Sequence, residues 1–223
     1  IELSISFGWA TKNSTDQDMN DILKNAEDYM YRNKLFESPD IREKRIKAII
    51  NSFYDNNSEE ERHSKRVSSL CEAIGAAMGM TKAALNELRT LGLFHDIGKI
   101  AIDNSILNKS DRLTKEEWNE IKRHPEIGYR ILSSVNDMAE LAGFILAHHE
   151  RWDGKGYPKG IKGTDIPLQA RITAVADAYD AMTSKRAYRD PLPESVAVDE
   201  LEKNAGTQFD PEIVRVFINK VIN

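Results

Sequence analysis

From Ile41 onward, every strong apolar period in this sequence is helical, and that constrains the fold more than any other feature. Ile41, Arg45, Ile49 and Phe53 suggest one helix. Val67, Leu70, Cys71, Ile74 and Met78 mark a second, ending near Gly79, and Leu85, Leu88 and Leu91 mark a third that runs into HDIGK. Thr114 with Glu117 is a capping box opening a fourth. Pro125 begins a further turn backed by Ile127, Ile131 and Leu132, and Met138, Leu141, Ala142 and Ile145 lead into His148. One long glycine-rich loop, 153–164, separates these from an apolar helix running from Leu168 to about Ser184. Two more helices are expected near 194–203 and 211–221. The expected class is all-α.

The first segment differs. IELSISFGWA alternates apolar and polar residues, as a half-buried strand does, and Met19, Ile22, Leu23, Ala26 and Met30 then follow at helical spacing. Pro39 disfavours helix at Ser38 and breaks the chain there. One strand cannot satisfy its own edges, so this piece reads as the tail of something larger. The expected division is 1–36 and 37–223. A single cysteine, Cys71, excludes an intrachain disulfide and fits a reducing cytosol. A formal charge of -5 speaks against polymeric nucleic acid as a partner. No apolar run approaches the roughly 18 residues of a membrane span, and the start has no signal-peptide pattern.

The chemistry concentrates in the five histidines, His63, His95, His124, His148 and His149. Any one alone reads as well as a hydrogen-bonded core histidine. Together they are accompanied by carboxylates: Glu59 four residues before His63, Asp96 directly after His95, and Asp177 in an otherwise apolar helix. Burying Asp177 without a partner would be costly. Imidazole with carboxylate and no cysteine cluster is a ligand set for iron, manganese or zinc. Adjacent residues on a helix diverge by about 100°, so His148 and His149 can serve one site only where their helix ends, which the Gly154–Gly156 loop implies. Asp96 has two oxygens that can bridge two metals. Eight candidate ligands exceed one tetrahedral site and suit two ions, or three. Paired ions of this kind clamp the attacking and leaving oxygens of a phosphoryl displacement.

LFHDIGKI resembles the signature of HD-domain metal phosphohydrolases. With HSKRV, KRHPEIGYRIL, HHERWDGKGYP, ARITAVADAYDAMTSKRAYR and GTQFDP in order, the chain resembles the HD-GYP subgroup, bacterial cyclic di-GMP phosphodiesterases, from about Glu59 to Pro211. SISFGWAT and NAEDYMYRNK resemble the last strand and helix of a GGDEF domain, although the cyclase signature is not in this chain. The resemblance implies metal ligation by His63, His95, Asp96, His124, His148, His149 and Asp177. Glu59 matches the position that some members use for a third ion, but Glu-Glu-Arg stands between it and His63.

It further implies hydrolysis of cyclic di-GMP to linear pGpG, and on to GMP, in a bacterial cytoplasm. Asp96 and Lys99 are the expected catalytic residues, Lys99 stabilising transition-state charge. On the residues alone, a solvated surface lysine is the commoner reading of Lys99. Gly156, Tyr157, Pro158, Arg186 and Arg189 are expected at the substrate. The GKGYP loop alone would read as an ordinary turn, and KRAYR alone as a solvent-facing basic run. Asp180, three residues after Asp177, is expected to orient a ligand or Arg186. Two alternatives stand beside this reading: a non-catalytic cyclic di-GMP receptor, whose mark would be a missing ligand, and a phosphodiesterase for another cyclic dinucleotide such as cyclic GMP-AMP. A homodimer and a longer, regulated natural protein are the further expectations about partners.

Overall fold

The computed structural model describes residues 10–12, 14, 17–19, 22, 23, 26, 58–109, 111–133, 138–185 and 190–222. The chain divides into two compact units, Ile1–Asn51 and Ser52–Asn223. In the first, Met19, Ile22, Leu23 and Ala26 are helical, and Met19 and Leu23 are exposed. The expected strand, the helix through Ile41 and Phe53, and the boundary after residue 36 lie outside the described residues.

The regular elements among the described residues of the second unit are helices. Its helices are α1 (Ser58–Ala77), α2 (Lys82–Phe94), α3 (Asn104–Leu107), α4 (Lys115–Ile121), α5 (His124–Ser133), α6 (Ala139–Ala147), α7 (Leu168–Thr183), α8 (Glu194–Lys203) and α9 (Pro211–Phe217). A 3-10 turn, Ile97–Ala101, follows α2, and the chain beyond α9 widens into a π turn. The expected capping box is present at α4: Thr114 Oγ1 accepts from Glu117 N, and the Glu117 carboxylate accepts from Thr114 N at 2.7 Å. The brief helix α3 carried no periodic signal, because four residues give too short a window.

Helices α1 and α2 pack along one another, and α7 lies against α1. Val67, Cys71 and Ile74 of α1 meet Leu88 of α2, Ile172, Val175 and Ala176 of α7, Leu201 of α8 and Ile213 and Phe217 of α9. Each is buried, so one apolar cluster joins five helices. Truncating such a side chain typically costs about 2–5 kcal/mol, lost burial plus cavity. This core anchors α1 and α7 along one face. Their other faces carry His63 and Asp177, so packing on one side fixes polar groups on the other.

The 3-10 turn after α2 packs on α5. Gly98 makes that contact: a Cβ there would lie 1.9 Å from the His124 carbonyl oxygen and 2.7 Å from Gly128 N. No side chain fits, so the HDIGK glycine brings Asp96 and Lys99 against the start of α5.

Candidate metal centre

Most of the candidate residues sit at helix ends. His95 caps α2, Asp96 precedes the 3-10 turn, His124 opens α5, and His148 caps α6 with His149 next. His63 and Asp177 come from within α1 and α7. His63, His95, Asp96, His124 and His148 are buried.

One local device orients three of the imidazoles. His95 Nδ1 lies 2.9 Å from Gly92 O, His124 Nδ1 2.8 Å from Ile121 O, and His148 Nδ1 2.5 Å from Ile145 O. A carbonyl only accepts, so each Nδ1 carries the proton and donates it. Helices leave their last carbonyls unsatisfied, and here the side chain that ends or follows the helix takes one of them. The remaining nitrogen, Nε2, then presents a bare lone pair, the form in which histidine binds metals. His63 uses a carboxylate instead: its Nδ1 is 2.7 Å from Asp180 Oδ2. Asp180 also accepts from both Arg66 Nε, at 2.5 Å, and Arg66 Nη2, at 2.9 Å.

The Nε2 atoms converge on Asp96. Its Oδ1 lies 3.1 Å from His124 Nε2, while its Oδ2 lies 3.2 Å from His95 Nε2 and 3.8 Å from His63 Nε2. The groups around it form two sets able to hold an ion, Asp96 with His124, His148 and His149, and His63 with His95 and Asp177. A third comprises Glu60, His63 and Asp96.

The sets differ in electrostatics. Burial pushes His63 down, but hydrogen bonds to Asp177 and Asp180 outweigh it and hold the ring at about 10. Burial and the neighbouring His124 push His149 down to about 3, and burial with His149 lowers His148 as well. Asp96 and Asp177 stay ionised despite burial, Asp96 beside Lys99 and His95, Asp177 beside His63 and His95.

The donor set fits divalent ions. His95 Nε2 is buried and makes no hydrogen bond, Asp96 Oδ2 being near but not in hydrogen-bond geometry. His124 Nε2 and His148 Nε2 face each other at 3.3 Å, both nitrogens having a protonated Nδ1 behind them. Two lone pairs held this close call for a cation between them. The three sets supply imidazole nitrogen and carboxylate oxygen without sulfur.

Lys99 is no solvated lysine: Nζ lies 2.5 Å from Asp96 Oδ2 and 3.1 Å from Glu60 Oε1. The α-helix ends at Phe94, and the 3-10 turn that follows brings Lys99 to Asp96. Glu59 is exposed at the rim of the same cleft, and Glu60 is the glutamate grouped with His63 and Asp96. Spacing could not separate the two, because i−3 and i−4 both share a helical face with His63.

Tyr157 stacks on His149, centroids 5.0 Å apart and planes 30° apart, and its N–H donates to His149 O. The peptide bond from Tyr157 to Pro158 is cis. Gly156 serves close packing within the loop: a Cβ would lie 2.4 Å from Arg151 N and 2.5 Å from Glu150 Cα. Glu150, which spacing did not single out, is buried and accepts through Oε1 from Lys159 N and Gly160 N. At the loop base, Trp152 and Asp153 donate backbone N–H groups to Gln208 and Thr207, and Arg171 lies over Trp152 while pairing with Asp210. Arg186 and Arg189 lie outside the described residues; Lys185 just before them lines the cleft.

The cleft measures about 390 Å³, with His63, Asp96, Lys99, His124, His149 and Asp177 among the groups that line it. Among the described residues no helix is long and apolar enough to cross a membrane.

Comparison with known proteins agrees with this geometry. A cyclic di-GMP phosphodiesterase of Thermotoga maritima is 41% identical over 200 residues, covering 87% of this chain and 52% of that protein. The 3′3′-cGAMP-specific phosphodiesterase 2 of Vibrio cholerae is 36% identical over 172 residues, covering 76% and 33%. The chain thus spans about half the length of the first and a third of the second. Bd1817, an HDG"Y"P protein from Bdellovibrio bacteriovorus, superposes with a TM-score of 0.63 at 19% identity, over 95% of this chain and 75% of its own, a likeness of fold. The family model of the HD domain matches residues 47–213, the stretch that holds every clustered histidine and aspartate, and the chain belongs to that family.

Proposed function

We propose that this chain hydrolyses a phosphodiester bond of cyclic di-GMP to linear pGpG, with GMP as the product of a second cut. One observation carries the reading: the two oxygens of Asp96 address different histidines, His124 on one side and His95 on the other, at the floor of an open cleft. The relatives above, named for cyclic dinucleotide hydrolysis, support it.

In this reading His63, His95 and Asp177 would hold one ion and His124, His148 and His149 a second, with Asp96 within reach of both sets. Iron or manganese is the proposed pair, histidine–carboxylate sets without thiolate being suited to either. Bound there, such ions would polarise the phosphoryl oxygens and supply a nucleophilic water at neutral pH. Two ions rather than three are proposed, because the Lys99 ammonium already neutralises Glu60 and Asp96 together. Glu59, exposed at the cleft, remains the alternative third ligand.

The water oxygen bonds to phosphorus, the P–O3′ bond breaks, and the 3′-oxygen leaves with a proton, giving a 5′-phosphate and a 3′-hydroxyl. Lys99 holds positive charge beside the reacting phosphoryl group. Burial, with Asp96 and Asp177 nearby, raises the Tyr157 pKa, so its hydroxyl stays a hydrogen-bond donor. Gly156 and Pro158 seat Tyr157 over His149. Asp180 and Arg66 hold the His63 ring. Arg186 and Arg189 follow cleft residue Lys185 in sequence, and their planar forks suit the second phosphate.

The same proposal places the chain in a bacterial cytoplasm, within a longer protein in which residues 1–36 end a GGDEF-like domain and 37–223 form the phosphohydrolase. It leaves out polymeric nucleic acid and is compatible with a homodimer. Cyclic GMP-AMP is the second reading for substrate, because a Vibrio cholerae relative is named for it. The receptor reading expects a missing ligand, whereas all seven groups converge here.

The test is anaerobic incubation of the purified chain with cyclic di-GMP and Mn²⁺ or Fe²⁺, with products separated by chromatography. Appearance of pGpG or GMP, lost on chelation, is the expected result. Turnover of cyclic GMP-AMP alone would reassign the substrate, and tight binding without turnover by the loaded protein would favour the receptor.

A further inference from the structure

The cleft has three kinds of wall. Its floor is the histidine–aspartate cluster, and one side carries Arg66, Ser184 and Lys185. Another side is apolar, built from Leu107, Leu113, Trp118 and Ile121, with Asn108 beside them. Trp118 is 46% exposed there, one of the few large apolar side chains open to solvent among the described residues.

An exposed indole on a seven-residue helix needs a rigid support if it is to act as a surface. Trp118 has one. The residue before it, Glu117, accepts from Thr114 N at the helix start and from Lys109 Nζ, which lies 2.7 Å from both its oxygens. Thr114 closes the reciprocal bond. These contacts tie the segment before α4 to the turn that carries Trp118, so the backbone from which the ring projects is held in place.

Resting on the phosphodiesterase reading, we propose that Trp118 is the platform on which one nucleobase of the substrate stacks, while the phosphate attached to that nucleoside sits at the histidine–aspartate floor. A nucleotide has the two characters that the cleft pairs: a flat aromatic face and an anionic phosphate. Trp118 provides the apolar face, and base-on-aromatic stacking is tolerant of base identity because each base has a π face. Asn108, with both a donor and an acceptor on its amide, is the adjacent group able to meet a base edge. Trp118 is therefore a substrate-binding residue that lies outside the histidine motifs and carries no titratable group.

The experiment compares GMP with ribose 5-phosphate, which keeps the sugar and phosphate and lacks the base. Binding of each to the Mn²⁺-loaded chain is measured calorimetrically for wild type, Trp118→Phe and Trp118→Ala. The expected wild-type preference for GMP is about tenfold or more, in line with alanine scans of stacked bases. Trp118→Ala should bring that ratio close to one while ribose 5-phosphate binding and metal content stay put, and Trp118→Phe should keep most of the preference. A ratio unchanged in Trp118→Ala, or no preference for GMP in wild type, overturns the proposal. A Trp118-dependent GMP preference in a protein that cuts no cyclic dinucleotide would uphold the base platform and remove the phosphodiesterase reading.

Discussion

His63 of α1 and Asp180 of α7 are joined by a 2.7 Å hydrogen bond across 117 residues of chain. The bond faces away from the cluster and fixes which nitrogen of His63 faces into it. Asp180→Asn keeps the size and weakens both this bond and the Arg66 pairing. Second contacts of this kind typically account for about 10–100-fold in metal affinity or activity. A loss in that range is expected, read as metal content after dialysis and as turnover at saturating Mn²⁺. Unchanged metal retention would mean that His63 is held by α1 packing alone.

Asp96 reaches His124 of one ligand set through Oδ1, at 3.1 Å, and His95 of another through Oδ2, at 3.2 Å. Asp96→Ala should abolish turnover and reduce bound metal, measured by elemental analysis of the same sample. Full activity in this variant would sink the mechanism proposed above. Lys99 provides a contrast: Lys99→Met removes charge and leaves the ligands, so turnover should fall by about 100-fold or more with metal content kept, the scale on which single transition-state contacts act.

Gly98 touches no proposed ligand side chain, yet it sits against the backbone of His124. Gly98→Ala forces a methyl to within 1.9 Å of a carbonyl oxygen, which the 3-10 turn can relieve only by moving off α5. Overpacking of this sort costs about 1–3 kcal/mol. Denaturant melts should show that loss, and metal content should fall with it because Asp96 rides on the same turn.

Cys71 lies in the core joining α1 to α7, and burial pushes its thiol up to about 12. The sign is simple: the thiol's pKa is raised, so the reactive thiolate is scarce until the pH approaches that value, whereas in an unfolded chain it forms near pH 8.5. At pH 8 a thiol reagent should label the native protein far more slowly than the denatured one. Equal rates would show that the core opens readily.

Much of this was legible beforehand. Apolar spacing located the helices from Val67 to Val221 within a few residues, because each buries one stripe in a shared core. The clustering of five histidines with Asp96 and Asp177 was readable because such residues have little reason to end apolar stripes otherwise. Lys99 was expected at the site through the resemblance, but its pairing with Asp96 and Glu60, and Glu60 itself, were not legible. Their placement depends on a 3-10 turn and on a choice between neighbouring positions of one helical face, and spacing resolves neither. Glu150 and Trp118 escaped for a different reason: one holds a loop through backbone N–H groups, the other lines a cleft, and periodicity records neither relation.

The carbonyls of Gly92, Ile121 and Ile145 that orient three imidazoles also set where the centre can form, at the meeting of helix ends rather than along any one helix. Residues from 63 to 177 would then be tied at a single knot. An ion held there acts as a removable cross-link, closing several long loops at once and favouring the folded chain in proportion to its occupancy. Supply of metal would govern how long this protein survives as well as how fast it works.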